Sequence, residues 1–370
     1  MSHSITTASP YLPPIDHYLT HLQQIWDSKW ITNGGMKHEQ LEQALQTHLE
    51  CDFISLFTNG HLALETALKA LHLTGEVITT PFTFVSTAHA IVNAGCTPVF
   101  CDIEEETYTI DVSQIERHIT EKTSAIVAVH VYGNCCDIEA IEAIAMKHNL
   151  KVIYDAAHAF HVLRNGKSIA TAGDVTMYSF HATKVFHTIE GGAVVCNDQA
   201  LYERIQAMKN FGLFENSAHY IGTNGKMSEF QAAMGLCNLE VLPAQIDWRS
   251  KLFNRYIERL QLVESIRLPK LQPSTTPNYA YFPIRVNEGL RDKLDEVLTK
   301  KGILARKYFY PLVSHMPCFE SQTVKENTKV AEKVADEVLV LPLHMNLTLE
   351  QIDLISEVII QWNESLKVNI

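Results

Sequence analysis

Between about Cys51 and Asn197 the chain repeats one pattern, a short apolar run followed by a longer segment whose apolar positions recur at helical spacing. Short apolar runs bounded by turn residues suit strands buried on both faces, and the segments between them suit helices laid over those faces. "DFISLF" reads as a strand and "LALETALKALHL" as the helix behind it, with "EVITT", "PVFCDI", "SAIVAVHVYG" and "KVIYD" as further strands. In "DIEAIEAIAMKHN", Ile138, Ile141, Ile144 and Ala145 share one face, Glu139 and Glu142 turn away, and Asp137 stands where an N-cap belongs. This alternation predicts an α/β fold, a mainly parallel sheet sandwiched by helices. After about Leu242 the helical segments lengthen, with "YFPIRV" and "VLVLPL" as later strands. The expected division is a large α/β domain over residues 1–242, N-terminal arm included, and a smaller α+β domain over 243–370.

In an open α/β sheet, ligands sit at the carboxyl ends of the strands, so residues that close strands come first. Asn59-Gly60 closes one and opens a helix, where free backbone N–H groups suit a phosphate, although many such turns bind nothing. Asp155 closes "VIYD"; an acid there can cap a following helix or hold a proton on a ligand nitrogen. In "YSFHATKVFHTIEGGAVV" a strand delivers Ser179 and then Lys184, and Gly191-Gly192 lead back into the sheet. A lysine alone is usually a solvated surface group.

Composition narrows the field. Thirty basic against 42 acidic residues give a formal charge of −12, which excludes a general nucleic-acid or anionic-membrane surface. The start "MSHSITTASPYLPP" has no leader pattern and no apolar run is long enough to span a bilayer, so a cytoplasmic protein is expected. Eight cysteines without a C-x-x-C pair read as reduced and mostly buried. The 18 histidines show no H-E-x-x-H and no clustered His/Cys spacing, and no metal is expected. No G-x-G-x-x-G follows a strand, which weighs against a dinucleotide enzyme.

Gly60, Asp155 and Lys184 suit one ligand carrying a phosphate, an aromatic nitrogen and a carbonyl that condenses with an amine. Pyridoxal 5′-phosphate has all three, and Phe84, in "TTPFTFVSTAHA", offers a flat apolar face for its ring or belongs to the core.

At this point the chain resembles the DegT/StrS nucleotide-sugar aminotransferases, which are fold-type I pyridoxal-phosphate enzymes. The motifs "KWITNGG", "NGHLAL", "TTPFTFVST", "VHVYGN", "YDAAHA", "SFHATK", "EGGA", "NGKMSEFQAAMG", "YFYPL" and "LPLHMNLT" follow the family's order over nearly the whole length. The resemblance implies Lys184 as the lysine that takes the cofactor's aldehyde and Asp155 as the partner of its ring nitrogen. It implies Phe84 stacked on the ring, His158 beside its hydroxyl edge, and Gly60, His61 and Ser179 around the phosphate. Asn224 would reach the cofactor of a neighbouring subunit, which implies a homodimer with shared active sites. Thr32, Asn33 and Tyr308 are implied substrate contacts.

The family usually has Thr or Ser where His61 stands, and often Arg where Lys226 stands. The implied reaction moves an amino group from L-glutamate to C4 of a dTDP-linked 4-keto-6-deoxy hexose, for surface polysaccharide. Relatives acting at C3 tend to read "GDGGA" where this chain reads "IEGGA", so C4 is expected and C3 is the alternative; a non-catalytic protein keeping the fold is a further one.

Overall fold

The computed structural model describes residues 4–320 and 327–368. Its centre is a seven-stranded sheet: β1 (Phe53–Phe57), β2 (Glu76–Thr79), β3 (Thr97–Phe100), β4 (Thr123–Val129), β5 (Lys151–Asp155), β6 (Val175–Ser179) and β7 (Gly192–Cys196). The order across the sheet is β1-β7-β6-β5-β4-β2-β3. Every pairing is parallel except those of β7, which runs antiparallel to both of its neighbours. Helix α1 (Ile15–Ser28) is followed by the helices that cover the two faces, which include α2 (Met36–Leu49), α3 (Gly60–Ala70), α4 (Val85–Asn93), α5 (Ile138–His148), α6 (Gln199–Lys209) and α7 (Glu229–Leu260), the long helix against which α1 packs.

Each strand read from the sequence forms, "KVIYD" with the same ends and the others with shifted ones. Asp137 caps α5 by accepting the Ala140 N–H, and Ile141 and Ala145 are the positions that α5 buries most deeply. One layer of the core sets Leu64, Ala67 and Leu68 of α3 against Val127, Ile153 and Val194 of the sheet. The opposite layer joins Leu41 and Leu45 of α2 to Ile54, Tyr178 and Phe180. Burying such a side chain contributes about 1.5–3 kcal/mol, so packing rather than helix propensity fixes these elements.

The later part of the chain builds a three-stranded antiparallel sheet, Ile266–Arg267, Phe282–Val286 and Val338–Leu341, covered by α8 (Leu349–Val368). Residue 242 lies inside α7, a continuous helix of 32 residues that also contains Pro243. Ile5–Thr6 pairs in parallel with Ile303–Leu304, so the N-terminal segment joins the C-terminal part. None of the eight cysteines is joined in a disulfide; seven are buried and Cys318 is exposed. Among the described residues no helix is long and apolar enough to cross a membrane.

Candidate active site

The carboxyl ends of β5 and β6 open into a cavity of about 480 Å³. Gly60, His61, Phe84, Asp155, His158, Ser179, Lys184 and Tyr308 all line it, so the structure brings together eight of the residues singled out from the sequence. Asn224, Thr32 and Asn33 do not line it. Asn224 is exposed beyond a short hairpin, Leu213–Phe214 with Ser217–Ala218. The Thr32 carbonyl accepts the Glu229 N–H at 2.7 Å, and the Asn33 carbonyl accepts the Trp30 indole N–H at 2.7 Å.

Asp155 follows three buried residues, Val152, Ile153 and Tyr154, to the end of β5. The chain then turns instead of entering a helix, so the carboxylate caps no helix. One of its oxygens accepts the Thr87 hydroxyl at 2.8 Å, and the other accepts the Ala157 N–H at 3.1 Å. Thr83 and Thr87, whose hydroxyls lie 3.0 Å apart, extend this chain along the start of α4. Burial pushes the Asp155 carboxyl above its usual range, while Thr87, Ala157 and the Lys184 amine pull the other way.

The loop from Phe180 to Gly191 presents Lys184. It closes on itself, the Phe180 N–H donating to the Gly191 carbonyl at 2.8 Å and the Thr188 N–H to the Phe180 carbonyl at 2.9 Å. Phe180 and Phe186, fully buried and packed edge to face, anchor it on both sides of the lysine. His187 accepts the Ile189 N–H through Nδ1 and bonds the Tyr11 carbonyl through Nε2 at 2.7 Å, while Asn238 of α7 donates to the His187 carbonyl at 2.8 Å. Burial lowers the Lys184 amine to about 8, against the pull of Asp155 and Tyr308. An amine so placed is a poor permanent cation and an available nucleophile and base.

At the other end of the cavity α3 begins. Asn59 caps it by accepting the Leu62 N–H, which leaves the Gly60 and His61 N–H groups outside the helix's own ladder. A Cβ at Gly60 would stand 2.8 Å from Ser179 Cβ, so only glycine lets the helix start approach the serine this closely. Gly192 is equally constrained, since a Cβ there would lie 2.7 Å from the Gly60 nitrogen. His61 turns its ring to Ser86 at 2.9 Å and to Glu65 at 3.5 Å, leaving the backbone N–H as its contribution to the cradle. Lys226, noted for standing in place of an arginine, sits 4.2 Å over the Phe211 ring.

Phe84 is 58% exposed and belongs to the cavity wall rather than the core, whereas neighbouring Phe82 is fully buried. His158 accepts the Tyr132 N–H through Nδ1 at 3.1 Å, and its ring lies parallel to that of Phe309. Burial holds its imidazole well below the usual range, so it is neutral and carries its proton on Nε2. Sequence reading missed Thr87, Tyr281 and Arg306 in the wall. The signal for the first was a hydroxyl at Thr83, just ahead of the helix, and another at Thr87 in its first turn.

The cavity suits a pyridine ring carrying a phosphate and an aldehyde. Free N–H groups at a helix start suit the phosphate, a buried carboxylate suits a protonated ring nitrogen, and a half-buried amine with depressed basicity suits the aldehyde. The residues fit. Fold and cavity together therefore define a pyridoxal-phosphate enzyme on a mainly parallel α/β sheet.

A model of the DegT/DnrJ/EryC1/StrS aminotransferase family matches residues 15–360, and the chain belongs to that family. It is a sugar aminotransferase with pyridoxal 5′-phosphate as its cofactor. Two curated relatives named dTDP-4-amino-4,6-dideoxy-D-glucose transaminase, from Shigella dysenteriae and Escherichia coli, are each 43% identical to it. The first match covers 94% of this chain and 96% of the relative, the second 94% and 95%. The crystal structure of DesI in the presence of its TDP-sugar product superposes with a TM-score of 0.93 at 31% identity, over 97% of this chain and 92% of that one.

Proposed function

We propose that this protein moves the amino group of L-glutamate to C4 of a dTDP-linked 4-keto-6-deoxy hexose, giving dTDP-4-amino-4,6-dideoxyglucose, as a cytoplasmic homodimer with shared active sites. The observation that carries the chemistry is the meeting of the Lys184 amine and the Asp155 carboxylate in one cavity, with a free helix start beside them. The two 43% identical transaminases support the substrate.

Bound pyridoxal 5′-phosphate supplies an electron sink and carries nitrogen between the two substrates. Lys184 is its attachment point; once free, the amine takes the proton from the donor carbon and returns one to the sugar carbon. Asp155, fixed by Thr87 and Ala157, keeps the ring nitrogen protonated. The Gly60 and His61 N–H groups and the Ser179 hydroxyl would hold the phosphate, Phe84 would cover the ring, and neutral His158 would stand beside its hydroxyl. Tyr308, whose hydroxyl is bonded to the Arg306 guanidinium, faces the sugar side.

The shared site is supported by position and by exposed apolar surface. Asn224 lies outside its own cavity, and Phe211, Leu213, Phe214 and Ile221 near it are exposed, as are Trp26 and Trp30. Such clustered apolar exposure marks a protein interface. Thr32 and Asn33 enter the reading only through a partner's cavity.

Amination at C4 rather than C3 is favoured by Glu190, which lines the cavity and pairs with His181 at 3.5 Å. The deciding experiment supplies glutamate with dTDP- and UDP-linked 4-keto and 3-keto sugars and assigns the product by NMR. Nitrogen at C4 of the dTDP sugar is expected. Nitrogen at C3, or turnover confined to UDP sugars, would overturn the reading.

A further inference from the structure

The absence of clustered histidine and cysteine spacing left no metal to expect from the sequence. The fold nevertheless joins two separated segments. His17 and His21, one turn apart on α1, meet Cys237 of α7, and the ligand-capable atoms of the three lie within 4.8 Å of one another. Glu240, one turn beyond Cys237, brings a carboxylate oxygen to 3.3 Å from His17 Nε2. Positions four and three apart on a helix share a face, so each helix contributes two donors toward the other.

We propose that His17, His21, Cys237 and Glu240 form a zinc site that ties α1 to α7, separate from the cofactor cavity. Two imidazoles, one thiolate and one carboxylate are a donor set that zinc accepts, and the mixture of nitrogen and sulfur donors disfavours magnesium or calcium. Tetrahedral zinc with bonds of about 2.0–2.3 Å requires donor separations of roughly 3.3–3.7 Å, so the cluster must contract by about 1 Å. The His17 and Glu240 side chains, 37% and 58% exposed, are free to make that adjustment. His21 Nδ1 is buried without a hydrogen-bond partner, and Cys237 is fully buried beneath it. Binding releases the Cys237 thiol proton to solvent, and the thiolate and Glu240 then balance the two positive charges of the ion. The Lys37 ammonium acts against a cation at His21, but the side-chain oxygens of Gln24 and Gln40 hold it.

The site also touches a brace of the catalytic loop. Asn238, the residue after Cys237, donates to the His187 carbonyl, and His187 bonds the Tyr11 carbonyl just ahead of α1. Fixing α1 to α7 therefore fixes both attachments of that histidine. None of the four proposed ligands lines the cofactor cavity.

The test uses purified holoenzyme carrying Cys318→Ala, which removes the exposed thiol 3.8 Å from His89. Zinc alone is titrated after chelator treatment, and cobalt(II) is substituted in parallel. One zinc per chain is expected, with a thiolate-to-cobalt charge-transfer band that Cys237→Ser removes. His17→Ala and Glu240→Gln, at a half-buried and an exposed position, should each weaken zinc at least about tenfold without unfolding the chain. Failure of the parent protein to retain zinc would overturn the proposal. So would unchanged affinity in the His17→Ala/Glu240→Gln double variant, or a thiolate band that survives Cys237→Ser.

Discussion

The Thr87 hydroxyl donates to the Asp155 carboxylate at 2.8 Å, linking the first turn of α4 to the end of β5. The bond orients a buried acid whose ionised form the proposed reaction needs.

Thr87→Val keeps the shape of the side chain and removes the donor. A hydrogen bond to a charged group contributes about 1.5–3 kcal/mol, so kcat/KM should fall roughly 10- to 100-fold while Thr87→Ser stays near the parent. Steady-state rates with glutamate and the keto sugar check this, and a Thr87→Val enzyme within about twofold of the parent would place the fixing of Asp155 elsewhere.

Lys184 predicts a pH profile. Its amine is lowered from 10.5 to about 8 by burial, and only the neutral amine condenses with an aldehyde. Cofactor capture by the apo-protein should therefore accelerate up to about pH 8 and level off above it. Between about 8 and the ordinary value the unfolded chain binds more protons at this residue than the folded one, so stability linked to Lys184 rises with pH across that window. Stopped-flow capture rates still climbing steeply between about pH 9 and 10 would show an amine of ordinary basicity.

Glu229 predicts a stability effect away from the chemistry. Its two carboxylate oxygens accept the Lys37 and His38 N–H groups at 2.8 and 2.9 Å, capping α2 from the start of α7. Glu229→Gln leaves one oxygen to serve two buried donors and should destabilise the fold by about 2–3 kcal/mol, read as an earlier denaturant midpoint at fixed protein concentration.

Shared active sites predict complementation. Lys184→Ala and Asn224→Asp should each be inactive, the second because its carboxylate would repel the neighbour's phosphate. After the two are unfolded and refolded together, about half the dimers are mixed, each with one intact site of two, so about a quarter of parental activity should return. No recovery would mean that each chain completes its own site.

Much of this was legible in the chain and some was not. Local signals sufficed for the strands, for the Asp137 cap and for the Asn59-Gly60 helix start, because each depends on neighbours in sequence. The place of β7, antiparallel between β1 and β6, depends on which strands pair across the sheet, and no local pattern encodes that. Asp155 is instructive: its position at a strand end suits capping, yet the chain turns after it and the partner that fixes it is 68 residues away. The shift of pattern near Leu242 marks no break in secondary structure, since α7 continues through Pro243. His187, without a role in the sequence, proves to brace the loop that presents Lys184.

Lys184 has a buried competitor as carrier of the cofactor, since Lys209 is also lowered to about 8. Borohydride reduction of the purified protein, followed by digestion and peptide mass spectrometry, distinguishes the two lysines. The phosphopyridoxyl mass is expected on the peptide containing Lys184, and its loss is expected in Lys184→Ala. A label on Lys209 or Lys226, or one that survives Lys184→Ala, would contradict the assignment to Lys184.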